Sequence, residues 1–410
     1  MGQQKLGDNM SDKSFSPRLV SAVDEAGSVL CVYDKDKASA TGTWQAVIPK
    51  QTAKSVARAV LDVFLPAGYP HTVTPDYTPY QVYDSLQAFS STIAGLLSSR
   101  AALQGLGVGD EGSSATAAVL LTVLQESIGR ISTIVFAHRL GQAIEPECKY
   151  FRFLADILND AALIIKVFSP ALPHYAKVFS LCATGTLHAL CGVAAGASKA
   201  SLSAHFAKNG NLAELNAKDG SQETVISLLG MLAGSLFIRV VTTPTAVWTS
   251  MLLLVGLHLW TNYQAVRSVQ MRSLNRQRAT IVTKEFFRSG IVPSPAKVAR
   301  REHILSWKLA GPPIEYARTF PQSGEVSVED LKRHGADRYV LARQQSGLKI
   351  FLKENASPLD ALKGWVAALV GPADMAILDK EGFWEKLTLA GWDTRIAALE
   401  TGPAIRIRIE

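Results

Sequence analysis

Between residues 82 and 266 the chain sets one apolar segment after another, each close to the roughly 20 residues that cross a hydrocarbon core, with Gly, Pro or charge between them. Six segments can be drawn: Val82 to Leu106, Ala115 to Ala137, Phe151 to Ala171, His174 to Ala197, Gln222 to Thr243 and Thr245 to Gln264. In lipid such segments can satisfy their backbone polar groups only as helices or a closed barrel, and segments of this length suit helices. The predicted fold class is therefore mainly α, a polytopic six-helix membrane bundle. The last segment, with TAVWTSMLLLVGLHLW, is the strongest taken alone. The others are diluted by Ser, Thr, Gly and Ala, small residues that let membrane helices approach closely; Gly192 with Gly196 and Gly230 with Gly234 have GxxxG spacing.

A soluble helical bundle could share these features, so the loops decide. If the side holding Lys50, Lys54 and Arg58 is cytoplasmic, Lys and Arg should gather in alternate loops. GLGVGDEGSS has neither; the second loop region carries Arg139, Lys149 and Arg152; SPALPHYAK has only Lys177. The fourth holds Lys199, Lys208 and Lys218, the fifth around Thr243 and Pro244 is uncharged, and the exit after segment six carries Arg267, Arg272, Arg276 and Arg278. The order predicts both termini on the cytoplasmic side, with Arg100 and Arg239 as exceptions. Composition agrees: 48% of residues are apolar and 19% charged, with a mean hydropathy of +0.13.

The net charge of +7 does not point to nucleic acid, because the basic residues sit beside apolar segments rather than on a face interleaved with aromatics. Cys31, Cys148, Cys182 and Cys191 show no metal-ligand or CxxC spacing, so neither metal nor cofactor is expected. The N-terminus has no apolar core of a secretory signal, leaving membrane entry to internal helices. No P-loop, GxSxG or HExxH is present, and GLGVGDEG lacks the strand that a dinucleotide loop follows, so no enzyme is expected.

The ends divide the chain further. Residues 1–27 are expected to be a disordered tail. Residues 28–66 read as a hairpin, Val29 to Tyr33 and Thr43 to Ile48, then an amphipathic helix from Thr52 ended by Pro66. After the helical domain at 67–290, residues 291–410 suggest an α+β domain. Strand-like DRYVLAR and GLKIFLK precede helical SPLDALKGWVAALV and KEGFWEKLTLAGW, then DTRIAAL and AIRIRI. The N-terminal hairpin could join its sheet.

The third segment carries the residues that lipid would least tolerate. In FRFLADILNDAALII, helical spacing puts Asp156, Asn159 and Asp160 on one face. A carboxylate near the bilayer midplane costs at least about 2.5 kcal/mol, so these groups must face protein or water. Arg152 stands one turn earlier, and Glu126 with Arg130 forms another i, i+4 pair on segment two. These charges could staple segments two and three together, or line a cavity for a cation, a proton or a polar solute. His258 and Asn262, with Tyr263, could face the same cavity or form an interhelical hydrogen bond; His188 is a further candidate. PDYTPYQVYD, holding Asp76, Tyr77, Tyr80, Gln81 and Asp84, leads into segment one as an ordered loop or a ligand gate. In AKDGSQETV, Ser221 reads as an N-cap with Glu223 and Thr224 in the first turn.

Five blocks in order carry a resemblance: FLPAGYPHTVTPDYTPYQVYDSLQAF, GLGVG, FLADILNDAA, NAKDGSQETV and NYQAVRSVQMRSLN. Together, over about residues 60 to 290, they resemble the root UVB sensitive family. The resemblance implies membrane association, and in plants a link to UV-B sensitivity of roots, early seedling development and vitamin B6 homeostasis, with members acting together. It brings no catalytic residue. A looser analogy, at the level of fold alone, is to half of a major facilitator type transporter, with FAHRLG at the end of segment two in the place of that superfamily's basic loop.

The function expected from the residues is transporter-like: binding or moving a small polar solute past the acids of segment three, with the lipid bilayer as surroundings and a homodimer or paralogue heterodimer enclosing the path. The alternative is a membrane-anchored adaptor or regulator acting through the C-terminal domain. An enzyme handling vitamin B6 would need a phosphate cradle or a supported Schiff-base lysine, and no such set can be picked out.

Overall fold

The computed structural model describes strands at 19–23, 29–35 and 44–47, then residues 63–105, 115–208, 210–305, 313–318, 326–344, 347–403 and 405–408. Each apolar segment coincides with a long helix to within a few residues at most ends: α1 Tyr77–Gly105, α2 Ala115–Ile144, α3 Cys148–Phe168, α4 His174–Phe206, α5 Leu212–Val240 and α6 Pro244–Ser268. A 3-10 turn, Ser169–Ala171, follows α3. Among the described residues, three helical stretches are long and apolar enough to cross a membrane: Val119–Ile144, Tyr175–Phe206 and Leu212–Val240.

The last segment is not among them, which corrects its reading as the strongest. Along α6 the row His258, Thr261 and Asn262 is buried in protein, and these polar groups lower its hydropathy. Leu252, Leu253, Leu257 and Trp260 are exposed instead. Similar exposed rows occur on α2 (Leu120, Leu124, Ile131, Ile134) and α5 (Leu228, Leu232, Leu236). Apolar surface this extensive is what lipid or another protein would cover.

At the centre α1 packs against α3, α5 and α6; α3 also meets α4 and α6, and α2 lies against α4. Ala94, Leu97 and Ala101 of α1 share an apolar cluster with Leu163, Val167, Met251 and Val255. Gly230 and Gly234 allow the α1–α5 contact, since an added Cβ would come within 2.8 Å of Thr92 Cβ and 2.6 Å of Leu96 Cδ1 respectively. Gly192 and Gly196 have no such neighbour, so that GxxxG pair does not mark a helix contact.

Arg100, one of the charge exceptions, donates to Ile238 O at 2.7 Å and Val241 O at 2.8 Å. It thereby neutralises the carbonyl end of α5. Ser221 is not an N-cap: α5 starts nine residues earlier at Leu212, and Thr224 Oγ1 donates to Gly220 O within the helix. Helix α6 starts as its sequence suggests, with Thr243 accepting from Ala246 N ahead of Pro244.

The N-terminal strands β1 Leu19–Val23, β2 Val29–Lys35 and β3 Trp44–Val47 form an antiparallel sheet of their own. Residues 19–23, expected in a disordered tail, are thus strand, and among the described residues the hairpin pairs with β1 and not with the C-terminal sheet. The amphipathic helix expected from Thr52 lies, up to 62, outside the described residues.

The C-terminal region begins with α7 Arg276–Ser289, capped by Asn275 and closed by Gly290 in the left-handed conformation (φ 70°). After it come α8 Pro295–Ala299, β4 Ile314–Tyr316, α9 Val328–Arg333, β5 Tyr339–Gln344, β6 Gly347–Lys353, α10 Pro358–Val370, α11 Pro372–Lys380, α12 Phe383–Leu389 and β7 Arg406–Ile407. Strand β6 is central: β5 runs antiparallel along one edge, and β4 and β7 pair parallel with it. Ala279, Val282 and Phe286 of α7 enter the same core as Trp365, Phe383 and Ile350. DTRIAAL forms no strand, correcting that expectation; Asp393 instead receives three hydrogen bonds from Arg395.

Candidate functional site

Helix α3 has a strongly one-sided distribution of apolar residues, and its polar face turns inward: Asp156 and Asp160 are buried. Arg152, one turn before Asp156, is the hub. Its guanidinium donates to Asp84 Oδ1 at 2.8 Å, Gln87 Oε1 at 3.1 Å and Asp156 Oδ1 at 3.3 Å. Asp156 Oδ2 also accepts from Gln87 Nε2 at 2.5 Å and from the Asn262 amide. His258 Nδ1 lies 2.8 Å from Asp160 Oδ2, while its Nε2 is 3.8 Å from Asp156 Oδ2. One imidazole thus stands between two carboxylates, and α1, α3 and α6 are tied together by charge.

This cluster forms one wall of a cavity of about 330 Å³ bounded by α1, α3, α4, α5 and α6. Asn159, Ser91, Cys191 and Ser227 line it, as do Lys199 and Glu223. Lys199 holds Asp219 at 2.7 Å and Glu223 at 2.8 Å. Arg152 pairs with Asp84 and Asp156, and His258 with Asp160, so three carboxyl groups stand against one guanidinium and one imidazole. No group of three or more His, Cys, Asp or Glu is arranged to hold a metal among the described residues.

The segment leading into α1 is built in rather than free. Asp76 receives His205 at 2.9 Å and the Gln270 amide N–H at 2.5 Å. Burial alone would raise its pKa, but His205 and that N–H hold the carboxyl at about 2. Tyr77 and Tyr80 are buried against Phe206, and Gln81 donates to Asp219 Oδ1 at 2.6 Å. Because α1 begins at Tyr77, Tyr80, Gln81 and Asp84 are helical. Of that set, Asp84 and Tyr80 accept hydrogen bonds from Arg152, at 2.8 Å and 3.4 Å.

Glu126 and Arg130 do not staple α2 to α3. They pair with each other at 3.4 Å, largely exposed, and line a different hollow with His188. Segment two packs chiefly against α4 and meets α3 through Phe136, Ala143 and Ile144, so its ion pair lines a hollow that Asp156 does not share. Gln87 was not among the sequence candidates, although Asp84, Gln87 and Ser91 recur at i, i+3 and i+7 and so share one face of an otherwise apolar helix.

At the base of α3 a second buried network joins the helical body to the C-terminal region. Glu302 accepts from Lys149 and, at 2.9 Å, from Arg278 Nη1. Arg278 Nε donates to Ser273 O at 2.6 Å. Burial works against the Glu302 charge, but Lys149 and Arg278 hold its pKa below the ordinary value. Glu147 bonds instead to the Asn275 amide at 2.9 Å, and burial pushes it up to about 7 despite Arg278 and Arg276.

Comparison with known proteins adds the family. Residues 50–290 match the family described as a vitamin B6 photo-protection and homoeostasis domain. RUS family member 1 of Dictyostelium discoideum is 42% identical over 248 residues, covering 60% of this chain and 47% of that protein. Protein root UVB sensitive 3 of Arabidopsis thaliana is 33% identical over 335 residues, 77% of this chain and 75% of its own. Protein root UVB sensitive 2, chloroplastic, from the same plant is 27% identical over 331 residues, 77% and 73% of the two chains. The chain therefore spans about half the length of the Dictyostelium relative and about three quarters of these two Arabidopsis proteins. No solved structure matches. The matched domain contains every residue lining the charged cavity, and the chain belongs to the root UVB sensitive family.

Proposed function

We propose that the chain is a multi-pass membrane protein with both termini on the cytoplasmic side, in which α1 to α6 traverse the bilayer and the cavity between them takes up a small polar solute. The observation that carries this reading is the cavity of about 330 Å³ walled by Arg152, Asp156, Asn159 and His258. Carboxylates in excess over cations favour a solute that brings hydrogen-bond donors, positive charge or a proton. Asn262 Oδ1, buried without a partner among the described residues, is one more acceptor beside Asp156. The exposed leucine rows and the alternation of basic loops support the membrane setting. Analogy with half of a major facilitator type transporter would have a second copy or a paralogue complete the path, and with a family described by vitamin B6 homoeostasis the solute's handling would serve that process. Asp156→Asn and Asp160→Asn should leave membrane insertion intact while abolishing solute-dependent stabilisation and flux in proteoliposomes. Solute response surviving both substitutions would contradict the reading.

A membrane-held adaptor is the second reading, favoured by the Lys149–Glu302–Arg278 network that fastens the C-terminal region to the foot of α3. A partner bound to that region would bear directly on the cavity helix. Crosslinking of the full chain in native membranes should then yield a stoichiometric partner on residues 291–410, and its absence would remove this reading.

A further inference from the structure

A second hollow, of about 530 Å³, opens between α2, α3 and α4 and shares no lining residue with the central cavity. Its floor is set where α2 and α4 cross: a Cβ on Gly185 would come within 3.1 Å of Gln125 O. Lys166 reaches into it from α3, its Nζ 2.8 Å from His188 Nε2 on α4. When the ammonium donates there, the imidazole nitrogen must be an unprotonated acceptor, so the contact satisfies a donor without neutralising the charge. No carboxylate forms an ion pair with Lys166 among the described residues, and the acid of the hollow, Glu126, is 3.4 Å from Arg130.

Two cations and one carboxylate leave one positive charge uncompensated in a half-enclosed space. The bounding helices α2 and α4 are among those apolar enough to cross a membrane. In such surroundings a protonated Lys166 is stabilised by a counter-ion. Lys166 offers a point charge, and Arg130, largely exposed, a planar fork that can swing toward the same space. A phosphate group has enough acceptor oxygens to receive from both at once.

We propose that this hollow is an anion site for a phosphate group, held by Lys166 and Arg130 and independent of the central cavity. The phosphate can come from a soluble phosphate or from a lipid headgroup whose chains run along Leu120, Leu124 and Ile131, which are exposed on α2.

The test is thermal unfolding of the full chain in a phosphate-free, uncharged detergent. Inorganic phosphate in one arm and phosphatidic acid in the other are compared with chloride at equal ionic strength. Wild type should show a rise in Tm of about 3 °C or more in at least one arm. That rise should be lost in Lys166→Gln and in Arg130→Gln, the latter a surface change that leaves the fold intact. A response to inorganic phosphate assigns a soluble anion; a response to phosphatidic acid alone assigns a headgroup. No rise in either arm, or an equal rise in Arg130→Gln, overturns the proposal.

Discussion

Helices α2 and α3 carry nearly the same local device, an acid and an arginine four residues apart, and the fold treats the two in opposite ways. Glu126 and Arg130 have side chains 62% and 80% exposed, whereas Arg152 and Asp156 are 11% and 6% exposed. The intrahelical distances hardly differ, 3.4 Å against 3.3 Å. The difference lies in third parties. Arg152 also meets Asp84 and Gln87 from α1, and Asp156 meets Gln87 and Asn262. An ion pair becomes a structural centre only when neighbouring helices complete its hydrogen bonds.

The sharpest way to break the contrast is Arg152→Met. It would strand Asp84 and Asp156 as buried acids, and losses of about 3–5 kcal/mol are typical when one member of a buried pair is removed. Unfolding in detergent should show a large fall in Tm, partly recovered in Arg152→Lys.

A smaller effect is expected at Glu147, a buried carboxyl whose hydrogen-bond partner is an amide rather than a cation. Its pKa rises from 4.5 to about 7 on folding. The folded state therefore holds the proton more tightly, and stability falls as pH climbs from about 4.5 to about 7, by up to about 3 kcal/mol. Glu147→Gln should flatten that part of the pH profile, measured as the difference from wild type; parallel profiles would refute the assignment. Smallest of all, Arg130→Ala in anion-free detergent should change stability by less than about 0.5 kcal/mol, because both partners are exposed. A loss near that of Arg152→Met would erase the distinction between the helices.

Much of this was legible in the sequence where a single helix decides the outcome. Apolar length marked α1 to α6, and the i, i+3, i+4 spacing put Asp156, Asn159 and Asp160 on one face. His258 and Asn262 followed from the same logic, as polar groups that an apolar helix must turn inward. What could not be read was which helices would be neighbours. The bond from Gln87 to Asp156 and the isolation of Glu126 both depend on α1, rather than α2, packing against α3 on that face. The start of α5 was misread because KDGSQE resembles a cap. In the fold Lys199 reaches Asp219 and Glu223 from α4, so the polar run continues as helix. Similarly, DTRIAAL alternates like a strand, yet Arg395 folds back on Asp393. The Lys149–Glu302–Arg278 network gave no signal, since Lys149 stands more than 100 positions from the other two and Arg278 and Glu302 are 24 positions apart on separate elements.

The central claim is a water-filled cavity within a lipid-embedded helical body, and one labelling experiment addresses both halves. In a chain whose native cysteines are serine, Ser227→Cys would place a thiol on the cavity wall and Leu232→Cys one on the exposed apolar face of α5. In intact membranes a small charged thiosulfonate should modify the thiol at 227 and leave that at 232 untouched. Protection of both, or equal modification of both, would contradict the account.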